Sequence, residues 1–222
     1  MRAIIFDVET SGLGPGSAVV EIGWQEVDDS FSIVDKDESL IDPQVPISAS
    51  AAGVHGIMDH DVADSPTLEE YMTVVHEMPF MGEDVMFIAH NAKFDVGYLG
   101  QWVNVKKTLC SLKLARKLWP DSPDHKLQTL RVFLGLPYTK GDAHSAMSDV
   151  EVVRQLLLRA HIDFGLSLEQ MEAKANEPVV ISIMPFGKHK GTPMRDLPKS
   201  YREWALKNLD LDPDLRKAFE TA

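Results

Sequence analysis

The fold of this chain is decided by residues 3–41, AIIFDVETSGLGPGSAVVEIGWQEVDDSFSIVDKDESLI. The run AIIFD at 3–7 is short, apolar and rich in β-formers, which predicts a buried strand. Residues 17–27 and 31–41 alternate well enough to predict two further strands, joined by the acidic hairpin at 28–30. Three strands connected in this way predict an antiparallel meander.

Helix and strand patterns are mixed after the meander. The apolar run VMFIA at 85–89 predicts another buried strand. Helical patterns occur at 67–78, from Asp95 to Trp102, at 111–119, at 127–136 and over about 143–161. Strands first, and then strands mixed with helices, predict an α/β fold in which helices pack on a mixed sheet.

The composition bounds the class of protein. In 222 residues, 44% are hydrophobic and 25% charged, which supports a buried core and excludes wholesale disorder. A single cysteine, Cys110, excludes an internal disulfide framework and fits a reducing compartment. No apolar run approaches the ~18 residues that span a bilayer, and the N-terminus turns acidic within seven residues, unlike a signal peptide. We therefore expect a cytoplasmic protein with no membrane partner.

The character of the chain changes near Asn176, Glu177 and Pro178. We expect a main domain over 1–165, a helix or linker over 166–177 and a small module over 178–222. The last segment has eight basic and six acidic residues, a net charge of +2, against −14 for the rest of a chain whose total is −12. In it, VVISIM (179–184) predicts a strand, FGKHKGTPM (186–194) a basic loop and YREWALKNL (201–209) an amphipathic helix. So small a module is expected to dock on its neighbour or to dimerise.

Four carboxylates and one histidine occur in three separated motifs. FDVET carries Asp7 and Glu9, HNAKFD carries Asp95, and HSAMSD carries His144 and Asp149. Residues two apart in a strand point to the same face, so Asp7 and Glu9 lie together. A spacing of five cannot share one helical stripe, so we expect His144 on the loop before the helix and Asp149 on the helix's inward face.

These residue types suit hydrolysis of a phosphodiester. Carboxylates without cysteine ligands favour the hard cations Mg²⁺ or Mn²⁺, and two such ions ~3.5–4 Å apart suit an in-line phosphoryl displacement. A histidine with an ordinary pKa of ~6.5 suits deprotonation of the attacking water. Taken singly, Asp7 and Glu9 could instead be a polar strand edge, and Asp95 a helix cap.

The overall negative charge opposes general attraction to nucleic acid. However, residues 93–131 hold eight basic and three acidic residues, a local net charge of +5. This stretch is either a solvated helix face or a wall that contacts phosphate.

Together, the motifs DVETSG, HNAKFD and HSAMSD resemble those of the DEDDh exonuclease family, over roughly residues 3–160. The resemblance implies an RNase H-like fold, in which the sheet combines the antiparallel meander with parallel strands. It also implies 3′→5′ removal of nucleotides as 5′-monophosphates. By resemblance, two metal ions would be held by Asp7, Glu9, Asp95 and Asp149, and His144 would be the general base.

The resemblance also suggests residues that contact the substrate: Thr10, Gly12, Leu13, His55, Gly56, Ile57, His90, Asn91 and Phe94. Core packing is the alternative for Leu13 and Ile57, and a plain loop position is the alternative for the two histidines. The tail resembles the C-terminal segment of the exodeoxyribonuclease X branch of the family. There, Lys188 and Lys190 are candidate phosphate contacts, with glycines at 187 and 191 allowing close approach.

The sequence thus predicts a metal-dependent 3′→5′ exonuclease that acts on DNA at single-stranded or frayed 3′ ends. One alternative keeps the chemistry but takes RNA, as RNase T and oligoribonuclease do. Another is a non-catalytic nucleic-acid-binding protein, against which the intact set of five residues counts.

Overall fold

The computed structural model describes residues 2–75, 85–100, 102, 106–137, 145–177, 181–209, 211 and 213–222. The chain divides into two compact units, Met1–Asn176 and Glu177–Ala222. The first contains the sheet and the acidic motifs, and the second contains the basic loop of the tail.

The first unit is built on a five-stranded sheet with the order β3-β2-β1-β4-β5. The strands are β1 (Arg2–Thr10), β2 (Val19–Val27), β3 (Ile33–Leu40), β4 (Val85–Ala89) and β5 (Lys107–Cys110). The first three pair antiparallel, which confirms the predicted meander. Strands β1 and β4 pair in parallel, as do β4 and β5. The mixed sheet expected from the sequence is therefore confirmed.

Strand β5 was not predicted from the sequence. It is four residues long, lies at the edge of the sheet and begins at Lys107. Of its side chains, only that of Leu109 is buried. Such a short strand has no alternating pattern, so its pairing with β4 is what defines it.

Helices cover the sheet on both faces. They are α1 (Ala49–His55), α2 (Asp59–Val62), α3 (Leu68–Val75), α4 (Lys93–Leu99), α5 (Ser111–Leu118), α6 (Leu127–Phe133), α7 (Ala146–Phe164) and α8 (Leu168–Asn176). The helix expected from Asp95 to Trp102 begins two residues earlier and ends at Leu99. Within the described ranges, no helix combines the length and the apolar character that crossing a bilayer requires.

Strand β1 is buried on both faces and divides the core in two. Ala3 and Ile5 belong to a cluster with buried side chains of α5, α6, α7 and α8. Ile4, Phe6 and Val8 point the other way, into a cluster with residues of α3 and α4. Because side chains alternate along a strand, Asp7 and Glu9 continue the face of Ala3 and Ile5, on which α7 packs.

The second unit contains α9 (Lys199–Asn208) and α10 (Pro213–Thr221) around a small apolar core. The helix predicted at 201–209 is confirmed, although α9 begins two residues earlier and ends at Asn208. The strand predicted at 179–184 is wrong for its described part, because residues 181–184 form one isolated bridge, Ile183 with Pro193. Residues 178–180 lie outside the described residues.

The physical reason is a tight loop. The amide of Met184 donates to the carbonyl of Thr192 at 2.8 Å, and the amide of Gly191 donates to the carbonyl of Met184 at 2.9 Å. A third bond runs from the amide of Met194 to the carbonyl of Ser182 at 2.8 Å, so the described residues pair back within a short hairpin and form one isolated bridge in place of a strand.

Candidate active site

Three carboxylates meet at the carboxyl end of β1. Asp7 and Glu9 come from the strand, and Asp149 comes from the first turn of α7. Each offers an oxygen, and these oxygens all lie within 4.8 Å of one another. All three side chains are partly buried. The three carboxylates meet because Asp7 and Glu9 alternate onto the same face of β1 and α7 packs on that face.

Gly23 allows α7 to begin close to the sheet. It pairs with Asp7 across the antiparallel ladder of β1 and β2. A Cβ at this position would lie 2.7 Å from the backbone nitrogen of Met147 and 2.9 Å from the carbonyl carbon of Ala146. Because these are backbone atoms, they cannot rotate away. The absence of a side chain at Gly23 is therefore required for the present position of Asp149.

Glu21 is a further carboxylate of the site, which sequence reasoning missed. It lies opposite Glu9 in the ladder, and its Oε2 accepts a 2.9 Å hydrogen bond from the backbone N–H of Ala146. This N–H is at the start of α7, where helix amides lack partners within the helix. Glu21 thus fixes the start of the helix that carries Asp149. Its sequence signal, one acid within the apolar run VVEIG, is weak.

Asp95 approaches from the other side of β1. It lies in the first turn of α4, after the parallel strand β4, and its side chain is 2% exposed. Its Oδ1 accepts a 3.4 Å hydrogen bond from the backbone N–H of Val8. Since the ends of two parallel neighbours meet at one edge of a sheet, Asp95 lies beside Asp7. It is outside the tight group of three oxygens.

Burial raises the pKa of three carboxyl groups of the site, and neighbouring negative charges add to the effect in two of them. Burial raises the pKa of Asp7 well above its ordinary value, and the charges of Asp95 and Asp149 raise it further. Burial, followed by the charges of Asp149 and Glu21, raises the pKa of Glu9 to about 8. Burial raises the pKa of Asp95 to about 7. This concentration of oxygen donors needs a compensating positive charge, so the residues fit a hard divalent cation.

A second residue that sequence reasoning missed is Gln128, on α6. Its Nε2 donates a 2.7 Å hydrogen bond to Oδ1 of Asp149. Its Oε1 accepts a 2.8 Å hydrogen bond from Nε of Arg131, one helical turn further on. The two bonds assign the orientation of the amide, because the carboxylate can only accept and the guanidinium can only donate. Within the helix pattern of LQTL, a glutamine carries no signal of this contact.

The predicted general base, His144, lies outside the described residues, as do residues 138–143. The described chain resumes at Ser145, which caps α7 through a 3.3 Å hydrogen bond from the amide of Ser148 to its Oγ. The role of His144 as general base therefore stays a prediction.

Three predicted substrate contacts, Thr10, Gly12 and Leu13, lie at the end of β1 and in the loop after it. Hydrogen bonds within this segment hold it in place. The hydroxyl of Thr10 donates to the carbonyl of Gly12 at 2.8 Å, and the amide of Ser11 donates to the carbonyl of Ala18. Leu13 is 90% exposed at the tip of this loop. The core-packing alternative for Leu13 is therefore excluded, and a large apolar side chain is presented to solvent.

His55 ties the turn at 55–57 to the end of β1. Its Nδ1 accepts the amide N–H of Ile57 at 3.1 Å. The proton of the neutral ring is therefore on Nε2, which donates to the carbonyl of Thr10 at 3.2 Å. Burial lowers the pKa of His55, which favours this neutral form. Gly56 has a φ of 78° at the end of α1, a left-handed conformation that favours glycine.

His90 is engaged by internal partners at both ring nitrogens. Nδ1 lies 3.0 Å from Oγ of Ser111, and Nε2 lies 2.9 Å from the carbonyl of His125. Burial lowers the pKa of His90 to about 4, so the ring is neutral near pH 7. His90 thus links the end of β4 to two neighbouring segments, and its predicted contact with substrate stays a prediction.

Asn91 lies just before α4, and Phe94 lies in the first turn of that helix. Asn91 is exposed and has a φ of 71°, and its carbonyl accepts the amide of Phe94. The ring of Phe94 packs edge-on against Tyr98, with 5.2 Å between ring centroids. Their contacts with substrate stay predictions.

A family model described as Exonuclease matches residues 4–157, which include every carboxylate of the site. The chain belongs to this exonuclease family. A second model, described as Putative quorum-sensing-regulated virulence factor, matches residues 174–208.

Relatives of this exonuclease include exodeoxyribonuclease 10 of Escherichia coli strain K12. It is 32% identical over 227 residues, which cover 96% of this chain and 94% of the relative. The PolC-type DNA polymerase III of Bacillus subtilis strain 168 is 32% identical over 183 residues, which cover 78% of this chain and 12% of the polymerase. Among solved structures, Exonuclease X in complex with 5′-overhanging duplex DNA matches with a TM-score of 0.65 at 30% identity, covering 78% of this chain and 99% of that chain.

The two lysines predicted to contact phosphate lie in the basic loop of the exonuclease's second unit. Lys188 and Lys190 are both exposed, the first in the 3₁₀ turn Gly187–His189 and the second directly after it. Gly187 and Gly191 have φ values of 67° and 85°, so both adopt the left-handed conformation. The turn is thus shaped by its glycines and presents its lysines to solvent.

Proposed function

We propose that this protein is a 3′→5′ exodeoxyribonuclease, which releases 5′-mononucleotides from the 3′ ends of single-stranded or frayed DNA. The observation that carries the proposal is the convergence of Asp7, Glu9 and Asp149 at one end of β1. The DNA substrate is supported by the name of the E. coli relative and by the DNA complex of Exonuclease X.

We propose Mg²⁺ or Mn²⁺ as the cofactor, with two ions held by Asp7, Glu9, Asp95 and Asp149. A donor set made of carboxylate oxygens suits these hard ions. Burial, and after it the negative charge of neighbouring carboxylates, raises the pKa of Glu9 and Asp7, which supports a site that is completed by added positive charge. When bound, such ions stabilise the attacking and leaving oxygens of a phosphoryl displacement.

The other residues accept the proton of the attacking water, contact the terminal nucleotide or hold the carboxylates in place. We assign the general base to His144, because an imidazole can accept a proton from water near neutral pH. Leu13 provides an exposed apolar contact for the terminal nucleotide. The hydrogen bond from His55 to Thr10 holds the turn with Gly56 and Ile57 beside it. Gln128 and Glu21 hold Asp149 and its helix in place.

End-labelled oligonucleotides test the proposal. The protein is incubated with Mg²⁺ and with single-stranded DNA labelled at either the 5′ or the 3′ end, beside RNA of the same sequence. We expect 5′-labelled DNA to shorten stepwise and 3′-labelled DNA to lose its label first, as a mononucleotide. The Asp149→Asn variant controls for contaminating nucleases.

Three outcomes contradict the proposal. Early release of the 5′ label would reverse the polarity. Faster hydrolysis of RNA than of DNA would make the protein an exoribonuclease. Retention of both nucleic acids without hydrolysis would indicate a binding protein.

A further inference from the structure

The second unit contains an open cleft that the proposed chemistry does not use. Its volume is about 660 Å³, and it lies between the basic loop and α9. Aromatic rings of Phe186, Tyr201 and Trp204 line it, together with Lys188 and His189. A cleft of mostly apolar lining with a few polar groups has the general character of a ligand site.

The rings of the cleft are partly exposed, and two of them are nearly parallel. Tyr201 and Trp204 lie one turn apart on α9 and stack, with 5.7 Å between centroids and 28° between planes. The centroid of the His189 ring lies 4.4 Å from the centroid of the Tyr201 ring. Trp204 is 49% exposed and Phe186 is 39% exposed. Tyr201 also contacts Phe219 of the unit's core, which anchors the group from behind. The faces that remain open form a platform for a flat ligand.

The charge of the lining selects the class of that ligand. Among the residues that the structure describes, the lining includes a lysine and a histidine and no carboxylate. Nζ of Lys188 lies 5.4 Å from the centre of the Tyr201 ring. Among the described residues, neither Lys188 nor Lys190 is in an ion pair with an acid. In a chain with a net charge of −12, this local basic surface complements an anion that also has an aromatic face.

We propose that this cleft binds an unpaired base of single-stranded DNA, with the base stacked on Trp204 and Tyr201 and the adjacent phosphate at Lys188. The choice of DNA rests on the proposed function. Aromatic platforms beside basic residues bind single strands without strong sequence preference, because every base has a flat face. The cleft thereby gives the exonuclease a second hold on the strand, which raises the effective concentration of the strand near the enzyme.

Binding of a fluorescent oligo-dT to the full-length protein tests the cleft. Anisotropy is measured in chelator, so that nothing is cleaved. Trp204→Leu keeps an apolar side chain but removes the ring, and we expect affinity to fall about tenfold. Trp204→Phe keeps a ring, and most of the affinity is retained. Equal affinities for wild type and Trp204→Leu would overturn the proposal and point to another occupant, such as an apolar peptide.

Salt dependence provides a second measurement that does not require substitution of the helix. Lys188→Ala is expected to lower the slope of log affinity against log salt by about 0.7, as for one phosphate contact on a single strand. Lys217→Ala removes the same charge from an exposed position on α10 that does not line the cleft, and its slope stays at the wild-type value. Equal slopes for wild type and Lys188→Ala would also overturn the proposal.

The outcomes distinguish this proposal from the proposed function, because binding is measured without hydrolysis. If the wild-type protein binds oligo-dT through Trp204 but cleaves no DNA, the cleft assignment stands and the exodeoxyribonuclease assignment fails. If it cleaves DNA from the 3′ end and Trp204→Leu binds normally, the reverse holds.

Discussion

Nε2 of Gln128 donates a 2.7 Å hydrogen bond to Oδ1 of Asp149, and this bond joins α6 to the acidic site. The bond occupies one lone pair of a carboxylate oxygen and fixes the rotation of the carboxylate. Arg131 holds the amide in turn. Partners of this kind orient metal ligands and are worth roughly 10–100-fold in metal affinity where they have been removed.

Gln128→Leu is therefore expected to raise the Mg²⁺ concentration needed for half-maximal hydrolysis by about tenfold. The fold should be little affected, because Gln128 is on a half-buried surface of α6. Mg²⁺ titration of the initial rate provides the measurement. Gln155→Leu is the matched control, since it removes a 2.8 Å amide-to-carboxylate bond to Glu151 that does not touch the site. An unchanged Mg²⁺ requirement in Gln128→Leu would show that Asp149 needs no such support.

Gly23→Ala is expected to destabilise the first unit and to reduce hydrolysis. The added Cβ meets the backbone of Met147 at 2.7 Å, so α7 must move away from the sheet and carry Asp149 with it. Overpacking of this kind costs roughly 1–3 kcal/mol. Urea unfolding and the rate of hydrolysis are measured together. Gly53→Ala is the control, because nothing lies within 4 Å of its added Cβ in α1, and its stability should equal or exceed that of wild type.

Asp149→Asn is expected to abolish hydrolysis while raising the melting temperature in chelator. The same change removes a proposed metal ligand and one of the negative charges that, after burial, raise the pKa of Glu9 and Asp7. Melting is followed with and without Mg²⁺. The increase in melting temperature caused by Mg²⁺ should be smaller in the variant, since one ligand is missing. A variant that hydrolyses DNA at the wild-type rate would remove Asp149 from the site.

The acidic site also predicts how pH acts on the metal-free protein. The folded pKa values of Glu9 and Asp95, about 8 and about 7, lie above the ~4 of unfolded carboxyl groups. Between about pH 4 and about pH 8, the folded state binds more protons than the unfolded state, so the free energy of unfolding falls as pH rises. In chelator, the melting temperature should fall from about pH 5 toward about pH 8, and Mg²⁺ should restore it most at the higher pH. Glu9→Gln should flatten the fall in chelator; a curve as steep as that of wild type would contradict the assignment.

His90 produces the opposite trend at low pH. Its folded pKa of about 4 lies below the ~6.5 of an unfolded histidine, so the unfolded state gains protons first as pH falls. This contribution to stability is complete above about pH 6.5 and is lost progressively toward pH 4. The loss by about pH 5 should be roughly 1–2 kcal/mol. Urea unfolding at neutral and acidic pH should show a smaller loss in His90→Gln than in wild type, and equal losses would assign the effect elsewhere.

The sequence predicted the meander and the strand at 85–89 because AIIFD and VMFIA are short apolar runs and residues 17–27 and 31–41 alternate. It predicted the face of Asp7 and Glu9 because alternation along a strand is strict. It could not reveal Glu21 or Gln128, since each acts on Asp149 or its helix through a contact between segments more than 20 residues apart in sequence. The four residues of β5 likewise depend on a neighbour that lies far away along the chain.

In the second unit, the sequence predicted a strand that the described residues do not form. VVISIM has strong β propensity, yet residues 181–184 turn back after one bridge because the loop closes on Met184. Propensity describes how well a side chain fits a sheet, and the described part of this unit offers no sheet for it to join.

The alternation of β1 also restricts how this gene can change. Substitutions at the buried Ile4 or Phe6 change packing on one face and leave Asp7 and Glu9 pointing to the other. An inserted or deleted codon before Asp7 exchanges the two faces, and Asp7 and Glu9 then point into the apolar cluster under α3 and α4. The length of the first strand before Asp7 is therefore constrained independently of its composition.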